Sequence, residues 1–224
     1  MKIATWNIAR PRKGSEKINA INATLSELEA DILVLTETIQ SIDPGPLYRN
    51  FHTVKPLESY YRSDERRVSI YSKYDYYEEI ATWRSDTSIC VHLDTPLGPL
   101  AVYGAVVDTE ENIPAGLSSD LEKQIQDFER IRKEHNLCIC GDLYGSFSAN
   151  AEFAEKRRKA LTRTFAKNNL QNLSSGIPET SGQIILSRAV ENNCKVRTEK
   201  WNVSKTMSDY LGVAVMLIPF EQER

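Results

Sequence analysis

Ser208-Asp209-Tyr210-Leu211-Gly212-Val213-Ala214-Val215-Met216-Leu217 is the stretch on which the reading of this chain turns. A short polar segment leads into a run that is apolar or glycine throughout, as expected of a turn feeding a strand buried on both faces. Asp209 is thereby placed at the start of that strand. Three other stretches set a polar side chain at the end of an apolar run: Thr5-Trp6-Asn7-Ile8, Leu33-Val34-Leu35-Thr36-Glu37 and Cys140-Gly141-Asp142-Leu143-Tyr144. An isolated Asp or Asn in such a place is usually a turn former. Four such ends in one chain give polar chemistry somewhere to gather.

Between these stretches the pattern alternates strands and helices. Residues 2–7 alternate as a strand, and Ser15 is placed to cap a helix whose stripe is Ile18, Ile21, Leu25 and Leu28. Residues 32–36 form a continuous apolar strand. Short strands are expected at 51–54, 68–72, 77–82, 88–93 and 100–107, with a hairpin at Thr95-Pro96-Leu97-Gly98-Pro99. A helix at 118–135 shows Leu121, Ile125, Phe128 and Ile131 on one face. A buried strand follows at 137–140, then an amphipathic helix at 149–167 and strands at 184–186, 195–201 and 211–217. The pattern predicts a mixed α/β chain with 1–224 as one domain, best met by two mixed sheets packed face to face with helices outside.

Bulk properties narrow the function classes. The chain of 224 residues carries 28 basic and 31 acidic side chains, a formal charge of −3, which argues against a general polyanion-coating protein. No apolar run is long enough to span a membrane. Met1 leads straight into a strand pattern without signal-peptide regions, so a cytoplasmic, reduced protein is expected. Its four cysteines make no disulfide framework, and Cys138 and Cys140 fall on one face of a strand as small core residues. His52, His92 and His135 lie at no ligand spacing from a cysteine pair, which argues against zinc.

Phosphodiester hydrolysis needs a cation, a group that orients water and donors around the phosphoryl oxygens. Glu37 at the end of a buried strand needs a partner or a metal. Asp209 is a second carboxylate, Asn7 offers an amide, and Asp142 is placed to engage attacking water. In this order the four stretches resemble the endonuclease/exonuclease/phosphatase superfamily, Mg²⁺-dependent phosphodiesterases that include DNase I-like and abasic-site nucleases. The resemblance spans nearly the whole chain, including Leu170-Gln171-Asn172-Leu173 and the turn at Ile177-Pro178-Glu179. It implies a four-layer, DNase I-like α/β sandwich of two packed mixed β-sheets flanked by helices. It also implies Mg²⁺ or Mn²⁺ on Glu37, Asp209 and Asn7, with Asp142, Asn7 and the residue at 210 catalytic.

The departures from the family pattern converge on the same place. Its terminal histidine is Tyr210 here, and the aspartate that orients that histidine falls at Gly182 of Ser181-Gly182-Gln183-Ile184-Ile185-Leu186-Ser187. The asparagine of its Gly-Asp-x-Asn is Tyr144, and a histidine found in some branches has Val106 nearby. A histidine's acid–base help is worth roughly 10²–10⁴ in rate, and one oxyanion-type donor roughly 10²–10³. Asn7, Arg10, Arg12 and Tyr144 are expected to touch substrate, with Arg62, Arg66 and Arg67 near Tyr60, Tyr61 and Tyr71 as further basic and aromatic candidates. Lys156-Arg157-Arg158-Lys159 reads as a solvated helix face. Two readings remain open. One is an incomplete site that keeps a divalent metal, a nucleic acid or other phosphoester, or a protein partner, with hydrolysis impaired or absent. The other is a working Mg²⁺ or Mn²⁺ phosphodiesterase, of nuclease type, that uses Tyr210.

Overall fold

The computed structural model describes residues 1–107, 119–143, 151–177 and 180–220, with side chains in the second and third helices described from 120 and 155 onward. In chain order the elements begin with β1 (Lys2–Asn7), α1 (Glu16–Glu27), β2 (Ile32–Ile39), β3 (Arg49–His52) and β4 (Glu65–Ser72). There follow β5 (Tyr76–Ile80), β6 (Ser88–Thr95), β7 (Gly98–Val106), α2 (Ser119–Glu134) and β8 (Asn136–Asp142). The remainder is α3 (Ala151–Lys167), β9 (Leu170–Asn172), β10 (Gly182–Ser187), α4 (Arg188–Glu191), β11 (Cys194–Trp201) and β12 (Gly212–Pro219).

Two six-stranded mixed sheets result, in the orders β11-β12-β1-β2-β4-β3 and β5-β6-β7-β8-β10-β9. Each holds one parallel pair near its middle, β1 with β2 and β7 with β8, and every other pairing is antiparallel. The period-2 alternation of strands sorts side chains into layers. Ile3, Val34, Val68, Val102, Cys140, Ile184 and Val215 fill the space between the sheets. From the same strands Trp6, Leu33, Leu35 and Ala214 face α1, packed on Ile21 and Leu25. On the far side Tyr103, Ile139 and Ile185 face Phe128 of α2 and Leu161 and Phe165 of α3. This is the expected four-layer α/β sandwich.

Strands β2, β4, β6, β8, β10 and β11 run one to three residues beyond their sequence patterns, because pairing continues where hydrophobicity stops, whereas β3 and β5 begin and end earlier than the strands expected at 51–54 and 77–82. β9 and α4 carry no pattern of their own and are additions. The helix pattern at 149–167 is met from Ala151 onward, residues 149 and 150 lying outside the described residues, as do 118 and the Pro178-Glu179 part of the expected turn. The hairpin is present, with Thr95 paired to Gly98, which adopts φ +93°. Ser15 does precede α1 at the cap position, but its hydroxyl makes no capping bond. Cys138 and Cys140 lie buried with their sulfurs 3.6 Å apart on one face of β8. No helix among the described residues is long and apolar enough to cross a membrane.

Candidate functional site

The two central parallel pairs end at the same edge of the sandwich, and this brings Asn7 of β1 to Asp142 of β8. The Asn7 amide Nδ2 donates to Asp142 Oδ2 at 3.4 Å, and both residues are buried. Asn7 is fixed from two further sides. The Ser208 hydroxyl donates to its carbonyl at 2.6 Å, and the Ala9 N–H donates to its amide oxygen at 3.0 Å. Asp142 depends on the glycine before it. Gly141 adopts φ +132°, and a Cβ there would sit 2.0 Å from the Ala105 carbonyl oxygen. Only glycine lets β8 come that close to β7 and deliver Asp142 opposite Val106.

Glu37 does not end its strand, as the sequence suggested; β2 continues to Ile39. It lies within the strand, where the register with β4 is recorded at Thr36 and Thr38 and not at Glu37, with φ +48°, a left-handed conformation uncommon for a side-chain-bearing residue. Its carboxylate is largely buried and meets the Arg10 Nε at 3.1 Å. The Tyr61 hydroxyl reaches both of its oxygens, at 3.1 and 3.2 Å. Arg10 and Arg67 place their guanidinium carbons 4.8 and 5.0 Å from the centre of the Tyr61 ring. Burial pushes the Glu37 carboxyl above its ordinary value of 4.5; Arg10, Arg67 and the Tyr61 hydroxyl pull it back, and Asp142 pushes it up again. The influence of Asp142 places the two carboxylates in one electrostatic neighbourhood. Tyr61, an acceptor of stacking bases or a packing residue by sequence, is thus a ligand of Glu37, and no spacing signal reveals it.

Asn7, Glu37 and Asp142 therefore converge. Asp209 is exposed, next in the chain to Ser208, whose hydroxyl binds the Asn7 carbonyl. Tyr210 is half-buried, and its backbone does the anchoring. Its carbonyl accepts from Trp6 Nε1 at 2.9 Å and from Asn202 Nδ2 at 2.8 Å, and its N–H donates to the Ser208 hydroxyl at 3.3 Å. Gly182 pairs with Asp142, so it stands beside the site, but a Cβ there would lie 2.8 Å from the Thr5 methyl. The Thr5 methyl would have to shift to admit a side chain there. Arg10 is at the site, whereas Arg12 is exposed; Tyr144 lies outside the described residues. Arg62 donates to the carbonyls of Arg10 and Pro11 at 3.2 and 3.0 Å and ties that loop down. Arg66 serves local carbonyls, buried Arg67 pairs with Glu58, and Tyr71 is core, leaving Tyr60 as the exposed aromatic.

Mg²⁺ and Mn²⁺ take oxygen ligands, and Mg²⁺ demands near-octahedral geometry. The donor set here does not fit that need as it stands. Both Glu37 oxygens already have donors, a guanidinium and a phenol, and the Asn7 amide oxygen receives the Ala9 N–H. Among the described residues no three His, Cys, Asp or Glu side chains gather into a metal cage. A cavity of about 570 Å³ lies elsewhere, between α3 and β9–β10, and is lined by Arg158, Arg188, Asn172, Ser174 and Gln183 among others. It includes none of the expected site residues.

No family model matches the chain, and no curated protein matches it. Solved structures do match. A 3′–5′ exonuclease of Neisseria meningitidis is 15% identical with a TM-score of 0.67, covering 97% of this chain and 100% of its own. An endonuclease/exonuclease/phosphatase family protein from Leptotrichia buccalis is 14% identical with a TM-score of 0.67, covering 97% and 99%. The endonuclease domain of TRAS1, a telomere-specific non-LTR retrotransposon, is 17% identical with a TM-score of 0.66, covering 98% and 99%. The chain has the endonuclease/exonuclease/phosphatase, DNase I-like fold.

Proposed function

We propose that this chain, built on the endonuclease/exonuclease/phosphatase fold, binds a phosphoester ligand at the Asn7–Glu37–Asp142 site with hydrolysis impaired or absent. The observation that carries this reading is at Gly182. The position on β10 that matches the histidine-orienting aspartate of the family pattern has no side chain, and a Cβ there would lie 2.8 Å from the Thr5 methyl. With Tyr210 at the partner position, no imidazolium is available to meet a phosphate; a phenol donates a hydrogen bond but carries no positive charge at neutral pH. Arg10 supplies positive charge at the same place, and guanidinium is suited to phosphoryl oxygens. The ligand class, nucleic acid or another phosphoester, is supported by that charge and by the endonuclease and exonuclease among the similar structures. A protein partner is a further expectation, as are residues 1–224 acting as one domain and a cytoplasmic location.

Within this reading Asn7 and Asp142 hold one another and orient a ligand oxygen or a water. Glu37 keeps Arg10 in place. Mg²⁺ or Mn²⁺ would supply Lewis-acid charge if bound, but the donor set leaves no step to be routed through it. The test is incubation of the full chain with oligonucleotides and with bis(4-nitrophenyl) phosphate in Mg²⁺ and in Mn²⁺, alongside binding of a fluorescent phosphomonoester. Binding without turnover, unchanged by Asp142→Ala in the turnover assay, is expected.

A second reading, an active nuclease-type phosphodiesterase using Tyr210, draws support from the buried Asn7–Asp142 pair and its Ser208 anchor. Metal-dependent cleavage that disappears in Glu37→Ala would establish it and overturn the first.

A further inference from the structure

Three side-chain-bearing residues with left-handed backbones, Ala9, Arg10 and Glu37, meet at one contact. Such conformations cost on the order of 1–3 kcal/mol each and persist only where surrounding interactions enforce them. Here the enforcement is visible. The Arg10 N–H donates to the Glu37 carbonyl at 2.6 Å, while Ala9 bonds Asn7 and Arg62 binds the carbonyls of Arg10 and Pro11. The loop after β1 is therefore pinned to β2 at the residue whose carboxylate it covers. Its side chain completes the arrangement, with Nε 3.1 Å from Glu37 Oε2 and the guanidinium 4.8 and 5.7 Å from the rings of Tyr61 and Tyr60.

We infer that Arg10 is the resident cation of this site: it holds the Glu37 carboxylate that a divalent ion would need, and so excludes such ions. The inference rests on the reading of this place as a phosphoester site, and it adds that positive charge comes from the chain itself. A guanidinium delivers one charge in a fixed fork and cannot be lost at physiological pH. A dication approaching Glu37 would have to displace it and would also face buried Arg67, whose charge already acts on the same carboxylate. Asp142 is the buried carboxylate whose charge also acts there, and it is held by the Asn7 amide, whereas Asp209, the second carboxylate expected to share the ion, is exposed.

The experiment is a Mn²⁺ titration of the full chain by calorimetry, with water-proton relaxation as a second readout and no phosphoester present. Arg10→Gln is expected to bind Mn²⁺ at least roughly tenfold more tightly than the unchanged protein, about 1.4 kcal/mol. The gain should vanish in Arg10→Gln combined with Glu37→Gln. Arg10→Met, which retains an apolar side chain to lie against Tyr61, should reproduce the gain if Arg10→Gln proves unfolded by circular dichroism. Equal affinity with and without Arg10, including no binding to either, overturns the inference. So does a gain that survives loss of the Glu37 charge, since the ion would then sit elsewhere. Failure to bind phosphoesters would sink the functional reading while leaving this result untouched.

Discussion

The two sheets bring unequal walls to the shared site. The wall from β7, β8 and β10 is regular: Asp142 arrives in register with Val106 and Gly182, and its peculiarities are matters of size, at Gly141 and Gly182. The wall from β1 and β2 is irregular: three left-handed residues cluster there, and its peculiarities are matters of charge, with Arg10 and Arg67 acting on Glu37. The two walls thus differ in physical kind: one limits the space beside a glycine, and the other sets guanidinium charge against a carboxylate.

Gly141→Ala gives the strongest way to break the regular wall. It forces a Cβ to 2.0 Å from the Ala105 carbonyl in a conformation that L-residues avoid, and a loss of about 3 kcal/mol in denaturant unfolding is expected. A loss below about 1 kcal/mol would show that β7 and β8 can separate freely. Gly182→Asp should cost less, about 2 kcal/mol, because only the Thr5 methyl obstructs it at 2.8 Å. Thr5→Ser removes that methyl, so the pair should show a favourable coupling of about 1 kcal/mol in a double-mutant cycle. Strict additivity would mean that Thr5 is not the obstacle. It follows that any attempt to restore hydrolysis with Gly182→Asp, Tyr210→His and Tyr144→Asn should include Thr5→Ser.

Asn7→Ala sharpens the link between the walls. It leaves the Ala9 N–H without its side-chain acceptor and removes the amide from Asp142, for an expected loss of about 1 kcal/mol, since the 3.4 Å bond is long.

The charged wall is read through pH. Glu37 titrates above 4.5 in the folded protein, so its neutral form is the one folding favours. Its contribution to stability is then complete below about pH 4.5 and fades as pH rises through the folded value. Glu37→Gln, which cannot ionise, should melt above the unchanged protein at neutral pH, and the two should converge below about pH 4.5. A neutral-pH melting point lower in the variant would mean that attraction from Arg10 outweighs burial. Smallest of all, Asp209→Asn at an exposed position should shift stability by less than about 0.5 kcal/mol. A larger loss would reveal that Asp209 takes part in the site after all.

Much of this protein was legible before folding. Apolar runs ending in Asn7, Glu37 and Asp142 marked the buried strands and a mixed α/β class, because burial on one or both faces of a sheet writes itself as a period of two or a continuous stretch. The same logic placed Cys138 and Cys140 in the core, whereas Gly182 and Tyr210 stood out only against the family pattern that the chain resembles. What the chain could not disclose was who stands next to whom across the sandwich. That Thr5 fills the space beside Gly182, or that Tyr61 and Arg10 hold Glu37, depends on contacts between residues distant in sequence. Left-handed backbone at Ala9, Arg10 and Glu37 is likewise invisible in residue types that ordinarily avoid it. Local propensity set the elements, and only tertiary packing decided which charges and methyl groups share the space where they end.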